Sequence, residues 1–132
     1  MDKEQSPIIL WFRRDLRLTD HPALAAAAQT GRPVIPVFLR DQLVDDLGAA
    51  PKWRLGLGLA ALSDNLEPKG SKLILRSGPA LAALEDLIRE TGATDVYWSR
   101  AYDPESIGRD TQIKAALSAQ DVSAKSFAGH LL

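Results

Sequence analysis

The sequence predicts an α/β fold, a doubly wound, Rossmann-like three-layer sandwich around a five-stranded, mostly parallel sheet. Three observations carry this. Short apolar runs without polar alternation are interleaved with helical stretches, the pattern of strands buried on both faces by crossover helices. Pro22, Pro79 and Pro104 stand near predicted helix starts, where a missing N–H does no harm. Gly31, Gly70 and Gly92 stand just past predicted helix ends, where a left-handed residue is wanted. Right-handed crossovers then wind the chain into two helical layers with the sheet between them.

The elements follow in order. Ile8 to Phe12 is a short apolar run and the first strand; Ala23 to Gln29, rich in the best helix former, is the first helix. Pro33 to Leu39 is the second strand, with Val34, Ile35, Val37 and Phe38 filling both faces. Pro51 to Leu66 gives the clearest helix, because Leu55, Leu59, Leu62 and Leu66 fall on one stripe of a 3.6-residue period. Lys72 to Arg76 is the third strand, and Leu81, Leu84 and Ile88 stripe the helix that follows. Asp95 to Ser99 is the fourth strand. Pro104 to Ala119 is a helix with Ile113, Ala116 and Leu117 inward, and Val122 to Phe127 closes the series as the fifth strand.

The chain has 132 residues, enough for one domain, with 45% hydrophobic and 25% charged residues. It has no cysteine, which excludes disulfides and thiolate metal sites. No stretch is long and apolar enough to span a bilayer, and residues 1–7 lack the order of a secretory signal, so a cytoplasmic location is the default expectation. Sixteen basic and 17 acidic residues give a net charge of −1, a poor electrostatic match for nucleic acid.

In a sheet of this kind, ligands sit outside the carboxyl ends of the strands, where strand order reverses. The turns at that edge are Arg13 to Asp20, Arg40 to Ala50, Ser77 to Gly78 and Arg100 to Asp103. The first is the run Arg13-Arg14-Asp15-Leu16-Arg17-Leu18-Thr19-Asp20, with three arginines where a dinucleotide-binding protein carries a glycine-rich cradle. Its charges can pair with one another in an open, exposed loop. Gly56-Leu57-Gly58 lies inside the leucine-striped helix and reads as small residues that let the helix approach the sheet. His21 and His130 are isolated, so a metal site is not expected. No nucleophile–base constellation or general acid–base pair stands out.

The run Trp11-Phe12-Arg13-Arg14-Asp15-Leu16-Arg17-Leu18-Thr19-Asp20, continued by His21-Pro22-Ala23-Leu24, resembles the opening signature of the DNA photolyase and cryptochrome family. Other segments agree in order. Pro36-Val37-Phe38-Leu39-Arg40-Asp41 resembles the family's second-strand segment, with Gln42 in place of the usual proline. Gly70-Ser71-Lys72-Leu73-Ile74-Leu75-Arg76-Ser77-Gly78-Pro79 resembles its third strand and turn. Tyr102-Asp103-Pro104 with Arg109-Asp110 resembles the Tyr-Glu-Pro…Arg-Asp segment, and Leu131-Leu132 matches the point where that domain ends.

The resemblance implies that residues 1–132 are the N-terminal α/β domain of a deoxyribodipyrimidine photo-lyase, an enzyme of light-driven DNA repair, or of a cryptochrome-type blue-light photoreceptor. FAD and the extruded pyrimidine dimer would be held by a helical C-terminal domain absent from this sequence, so no catalytic residue is assigned here. DNA would be met mainly through that domain, and the fragment alone is expected to be inactive. The family's redox tryptophans belong to the same missing region; Trp11, Trp53 and Trp98 read as core or interdomain packing.

In many members the α/β domain also helps bind an antenna chromophore. Folate-binding members carry an Asn-Glu pair shortly before the Arg-Asp, where this sequence has Glu105 and Ser106, so a deazaflavin- or flavin-type antenna is favoured over folate. The candidate contacts are Phe38, Leu39, Arg40, Asp41 and Lys52, with Glu105 as the folate-type position. Readings from another class are a universal-stress-like nucleotide binder, which lacks its phosphate loop because 100–105 has no glycine, and a ligand-free interaction domain.

Overall fold

A computed structural model of the chain describes residues 6–13, 16, 18, 21–69, 71–100 and 104–128. The elements run β1 (Ile8–Phe12), α1 (Pro22–Gln29), β2 (Val34–Arg40), α2 (Gln42–Asp45), α3 (Ala49–Leu66) with a 3-10 turn at Glu67–Lys69, β3 (Ile74–Ser77), α4 (Ala80–Thr91), β4 (Asp95–Ser99), α5 (Pro104–Ser118) and β5 (Ser123–Phe127). The five strands form one sheet in the order β3-β2-β1-β4-β5. Every pairing is parallel, so the expected sheet is present and wholly parallel.

The side-chain period of a strand explains the two cores. Ile9 and Trp11 of β1, Val37 and Leu39 of β2, and Val96 and Trp98 of β4 face one side, where Ala80, Ala83, Leu84 and Leu87 of α4 and Ile113 and Leu117 of α5 cover them. Ile8, Leu10, Phe12, Phe38 and Tyr97 face the other side, covered by Ala23 and Ala27 of α1 and Leu62 and Leu66 of α3. The chain thus winds α1 and α3 onto one face, then crosses over β1 to lay α4 and α5 on the other. Strand order reverses between β1 and β4, and the crevice between their carboxyl ends is the switch point.

Local signals agree at most ends. Gly31 and Gly92 adopt φ of 72° and 75°, the left-handed conformation expected after α1 and α4; Gly70 lies outside the described residues. Four details differ. The turn after β2 holds a further short helix, α2, because the Asp41 carboxylate accepts the Val44 N–H at 3.2 Å and starts a helical turn. β3 begins two residues later than expected. The buried face of α4 is Ala80-Ala83-Leu84-Leu87, rotated from the expected stripe, with Leu81 and Ile88 at its margins. Of the two α3 glycines, only Gly58 approaches a neighbour: a Cβ there would stand 3.0 Å from Leu16 Cδ1, whereas Gly56 faces open space.

The amino edge is locked separately. Arg32 donates to Asp95 Oδ1 at 2.8 Å, to Thr94 Oγ1 at 2.7 Å and to the Ser6 carbonyl at 2.8 Å, tying the segment before β1 to the starts of β2 and β4. No helix among the described residues is long and apolar enough to cross a membrane.

Candidate functional site

At the carboxyl edge, α5 decides the geometry. Its inward residues are Ser106, Asp110, Ile113 and Leu117, spaced four, three and four apart on one stripe. The stripe is apolar where it lies over the sheet and polar where it passes the strand ends. A carboxylate in that position has lost water and needs a cation. Arg13, the first residue after β1, supplies it: Nη1 donates to Asp110 Oδ1 at 2.6 Å while Nη2 donates to the Ser99 carbonyl at the end of β4 at 3.0 Å.

A second pair lies beside the first. Arg109 Nη1 donates to Asp41 Oδ2, and its Nε stands 3.6 Å from Asp110 Oδ1. Both guanidiniums lie over the buried indole of Trp11, at 5.2 Å for Arg13 and 5.1 Å for Arg109, within cation–π range. Trp11 in turn meets Trp98 edge-on at 5.4 Å. The chain Asp41–Arg109–Asp110–Arg13 therefore ties the ends of β1, β2 and β4 to the first two turns of α5. Its side chains are buried, from 8% exposure at Asp41 to 21% at Arg109. Both carboxylates are occupied by arginines, so the cluster offers no general base; it holds the sheet edge rigid.

This corrects the expectation for Arg13. It is not part of an open, exposed loop but a buried partner of a helix far along the chain. Arg14, Asp15 and Arg17 lie outside the described residues. His21 sits at the start of α1, where Nδ1 accepts the Leu24 N–H at 3.1 Å and caps the helix. Trp11 and Trp98 are core residues, whereas Trp53 on α3 is 68% exposed.

The candidate chromophore contacts separate into two groups. Phe38 and Leu39 are buried in opposite cores, so their side chains are already committed to the sheet faces. Arg40 is exposed and donates to Asp45 at 2.7 Å. Asp41 is buried against Arg109, while Lys52 and Glu105 are exposed in the first turns of α3 and α5, and Ser106 is buried. Arg40, Asp41 and Asp45 line a groove of about 400 Å³ with Ser77, Gly78 and Pro79, at the ends of β2 and β3. Glu105 does not line it.

Sequence reasoning missed the roles of Arg109 and Asp110 as buried partners. The signal was available: extending the Ile113–Leu117 stripe back by three and seven residues reaches Asp110 and Ser106.

The model for the family described as DNA photolyase matches residues 8–132. The whole chain is 47% identical to a deoxyribodipyrimidine photo-lyase of Agrobacterium fabrum and 42% identical to cryptochrome-2 of Arabidopsis thaliana, and spans 28% and 22% of their lengths. Among solved structures, a class III photolyase from Agrobacterium tumefaciens superposes with a TM-score of 0.91 at 47% identity, covering 95% of this chain and 26% of that one. An archaeal photolyase from Sulfolobus tokodaii, solved with two FAD molecules and with the implication of a novel light-harvesting cofactor, superposes at 0.78 with 27% identity, over 96% of this chain and 30% of its own.

Proposed function

Because this chain belongs to the DNA photolyase family, we propose that it is the N-terminal α/β domain of a cytoplasmic deoxyribodipyrimidine photo-lyase whose helical, FAD-holding domain lies beyond these 132 residues. The observation that carries the reading is the 47% identity over the entire chain to a relative of that name. FAD, when bound to the complete protein, would supply the light-driven electron that reverses a pyrimidine dimer. The residues described here would contribute architecture: the buried pairs Arg13–Asp110 and Arg109–Asp41 fix the carboxyl edge against which a second domain closes.

An antenna chromophore would sit at the same edge. The groove beside Arg40 and Asp41 has the size of a small-molecule site and mixes polar rim with backbone. It suits a deazaflavin- or flavin-type ligand better than the position of Glu105 and Ser106 suits folate, because Ser106 is buried and brings no carboxylate. A cryptochrome-type photoreceptor is the second reading, favoured by the 42% identity to cryptochrome-2.

The test uses the full-length protein reconstituted with FAD and given a dimer-containing oligonucleotide in light and in darkness. Light-dependent loss of the dimer is expected. Retained FAD with no reversal of any dimer would favour the photoreceptor. The 132-residue chain by itself is expected neither to retain FAD through gel filtration nor to repair DNA.

A further inference from the structure

The geometry points to a separate binding site for a phosphoryl group at the β5 edge of the sheet, built from Lys114, Ser126 and Arg100. Lys114, on α5, donates through Nζ to Ser126 Oγ at 2.8 Å. Arg100, just after β4, reaches the same hydroxyl at 3.5 Å and the Ser126 carbonyl at 3.4 Å. Those two separations exceed an ordinary N–H···O bond, so toward the described residues the exposed guanidinium keeps most of its donors uncommitted. Two cations thus converge on one neutral hydroxyl whose own proton remains available to an acceptor.

The charge balance there differs from that around most of the described arginines. Arg13, Arg32, Arg40, Arg76, Arg89 and Arg109 each hold a carboxylate. Among the described residues, neither Lys114 nor Arg100 does, and neither does Lys125, which lies over Tyr97 on the opposite face of β5. Ser126 pairs in register with Trp98, so the two side chains are neighbours on the α5 side of the sheet. Lys114 Nζ stands 5.9 Å from that indole, and the buried Trp98 Nε1 has no hydrogen-bond partner among the described residues.

Lysines on an edge strand also discourage edge-to-edge pairing, and this accounts for Lys125. It does not account for Lys114, which comes from the covering helix and is turned onto a half-buried serine. A tetrahedral oxyanion with several acceptor oxygens satisfies an ammonium, a guanidinium fork and a hydroxyl together. With a net charge of −1 on the chain, a small phosphate monoester or free phosphate fits better than a polyanion.

The test is a titration of the intact chain with inorganic phosphate, followed by the Trp98 indole and Ser126 amide resonances, with chloride at matched ionic strength as control. Saturable shifts under phosphate alone are expected. Lys114→Gln and Ser126→Ala should each weaken binding about tenfold, the scale of one lost charge-assisted hydrogen bond, while Lys125→Gln leaves it unchanged and Lys114→Arg retains it. A nucleoside monophosphate in parallel separates the sources: tighter binding than phosphate assigns a nucleotide, equal binding assigns the free anion. Unsaturable shifts, or binding as tight in Ser126→Ala and Lys114→Gln as in the unaltered chain, would overturn the site.

Discussion

Arg13 and Asp110 stand 97 positions apart and meet at 2.6 Å, one at the end of the first strand and the other on the last helix. The contact closes the fold across its switch point. β1 is the central strand, and α5 is the last of the described helices to cover the sheet, so this pair forms only when both are in place. Beneath it Trp11 offers its ring face to Arg13 and to Arg109, which makes the indole the floor of a charged cluster as well as a core residue.

Breaking that pair should be expensive. Arg13→Ala leaves the Asp110 carboxylate buried without its nearest cation, and Asp110→Asn does the reverse; each is expected to lose about 3–5 kcal/mol. Replacing both by apolar residues of similar volume should cost less than either single change, because no uncompensated charge remains. Urea denaturation of the three variants measures this. A loss below about 1 kcal/mol for Arg13→Ala would place the pair with exposed surface bridges instead.

The amino edge makes a contrasting case. Arg32→Ala removes the ion pair to Asp95 and the bonds to Thr94 and Ser6, all away from the ligand edge. A loss of about 2–4 kcal/mol in denaturation is expected, as for a buried charged hydrogen-bond group. Chromophore retention by the folded full-length protein should be unchanged. A variant that folds normally but loses the chromophore would show that the two edges are coupled.

Much of this architecture is legible in the residues, and the reason is physical. Ile8–Phe12 and Val34–Leu39 are apolar throughout because parallel strands are covered on both faces, and that signal is local. Gly92 and Pro104 mark helix boundaries through backbone chemistry alone. The cluster of Asp41, Arg109, Asp110 and Arg13 was not legible in the same way, since its partners are brought together only by the crossover. Phe38 and Leu39 belong to a segment with the family's pattern, and the strand period, which turns their side chains into the two cores, is equally plain in the residues.

The α3 glycines separate conformational cost from packing. Gly56→Ala meets nothing within 4 Å and should stabilise the helix by about 0.5–1 kcal/mol. Gly58→Ala gains the same propensity but brings a methyl to 3.0 Å from Leu16 Cδ1, so Leu16 must shift. Its net effect should fall at least about 0.5 kcal/mol below that of Gly56→Ala, the scale of a small overpacking strain. Equal thermal stabilisation by both would mean that Leu16 does not pack on α3.

Asp121 is the described non-glycine residue with a left-handed backbone, at φ of 62°. It closes α5 in a Schellman turn, with the Val122 N–H on the Leu117 carbonyl at 2.9 Å and the Asp121 N–H on the Ser118 carbonyl at 3.1 Å. Asp121→Gly relieves the strained conformation and should raise stability by about 0.5–1 kcal/mol, part of it returned as chain entropy. A fall in melting temperature would show that the Asp121 side chain contributes more than its backbone costs.

The antenna reading yields the sharpest functional test, provided that structural residues are kept out of it. Asp41 is a poor probe, because its removal leaves Arg109 without its carboxylate and unseats α2. Arg40 and Lys52 are exposed, so Arg40→Ala and Lys52→Ala can report on contact without disturbing the core. Arg40 lies in the groove with Ser77, Gly78 and Pro79, and Lys52 stands in the first turn of α3, outside the groove's lining. In full-length protein reconstituted with a deazaflavin or a flavin, each change should weaken chromophore retention by roughly tenfold, the value of a charge-assisted hydrogen bond. Glu105→Ala and Ser106→Ala should leave it unchanged, and folate should bind weakly to all of these proteins. Tight folate binding that survives Arg40→Ala and Lys52→Ala but is lost in Glu105→Ala would move the antenna to the start of α5 and reject the groove.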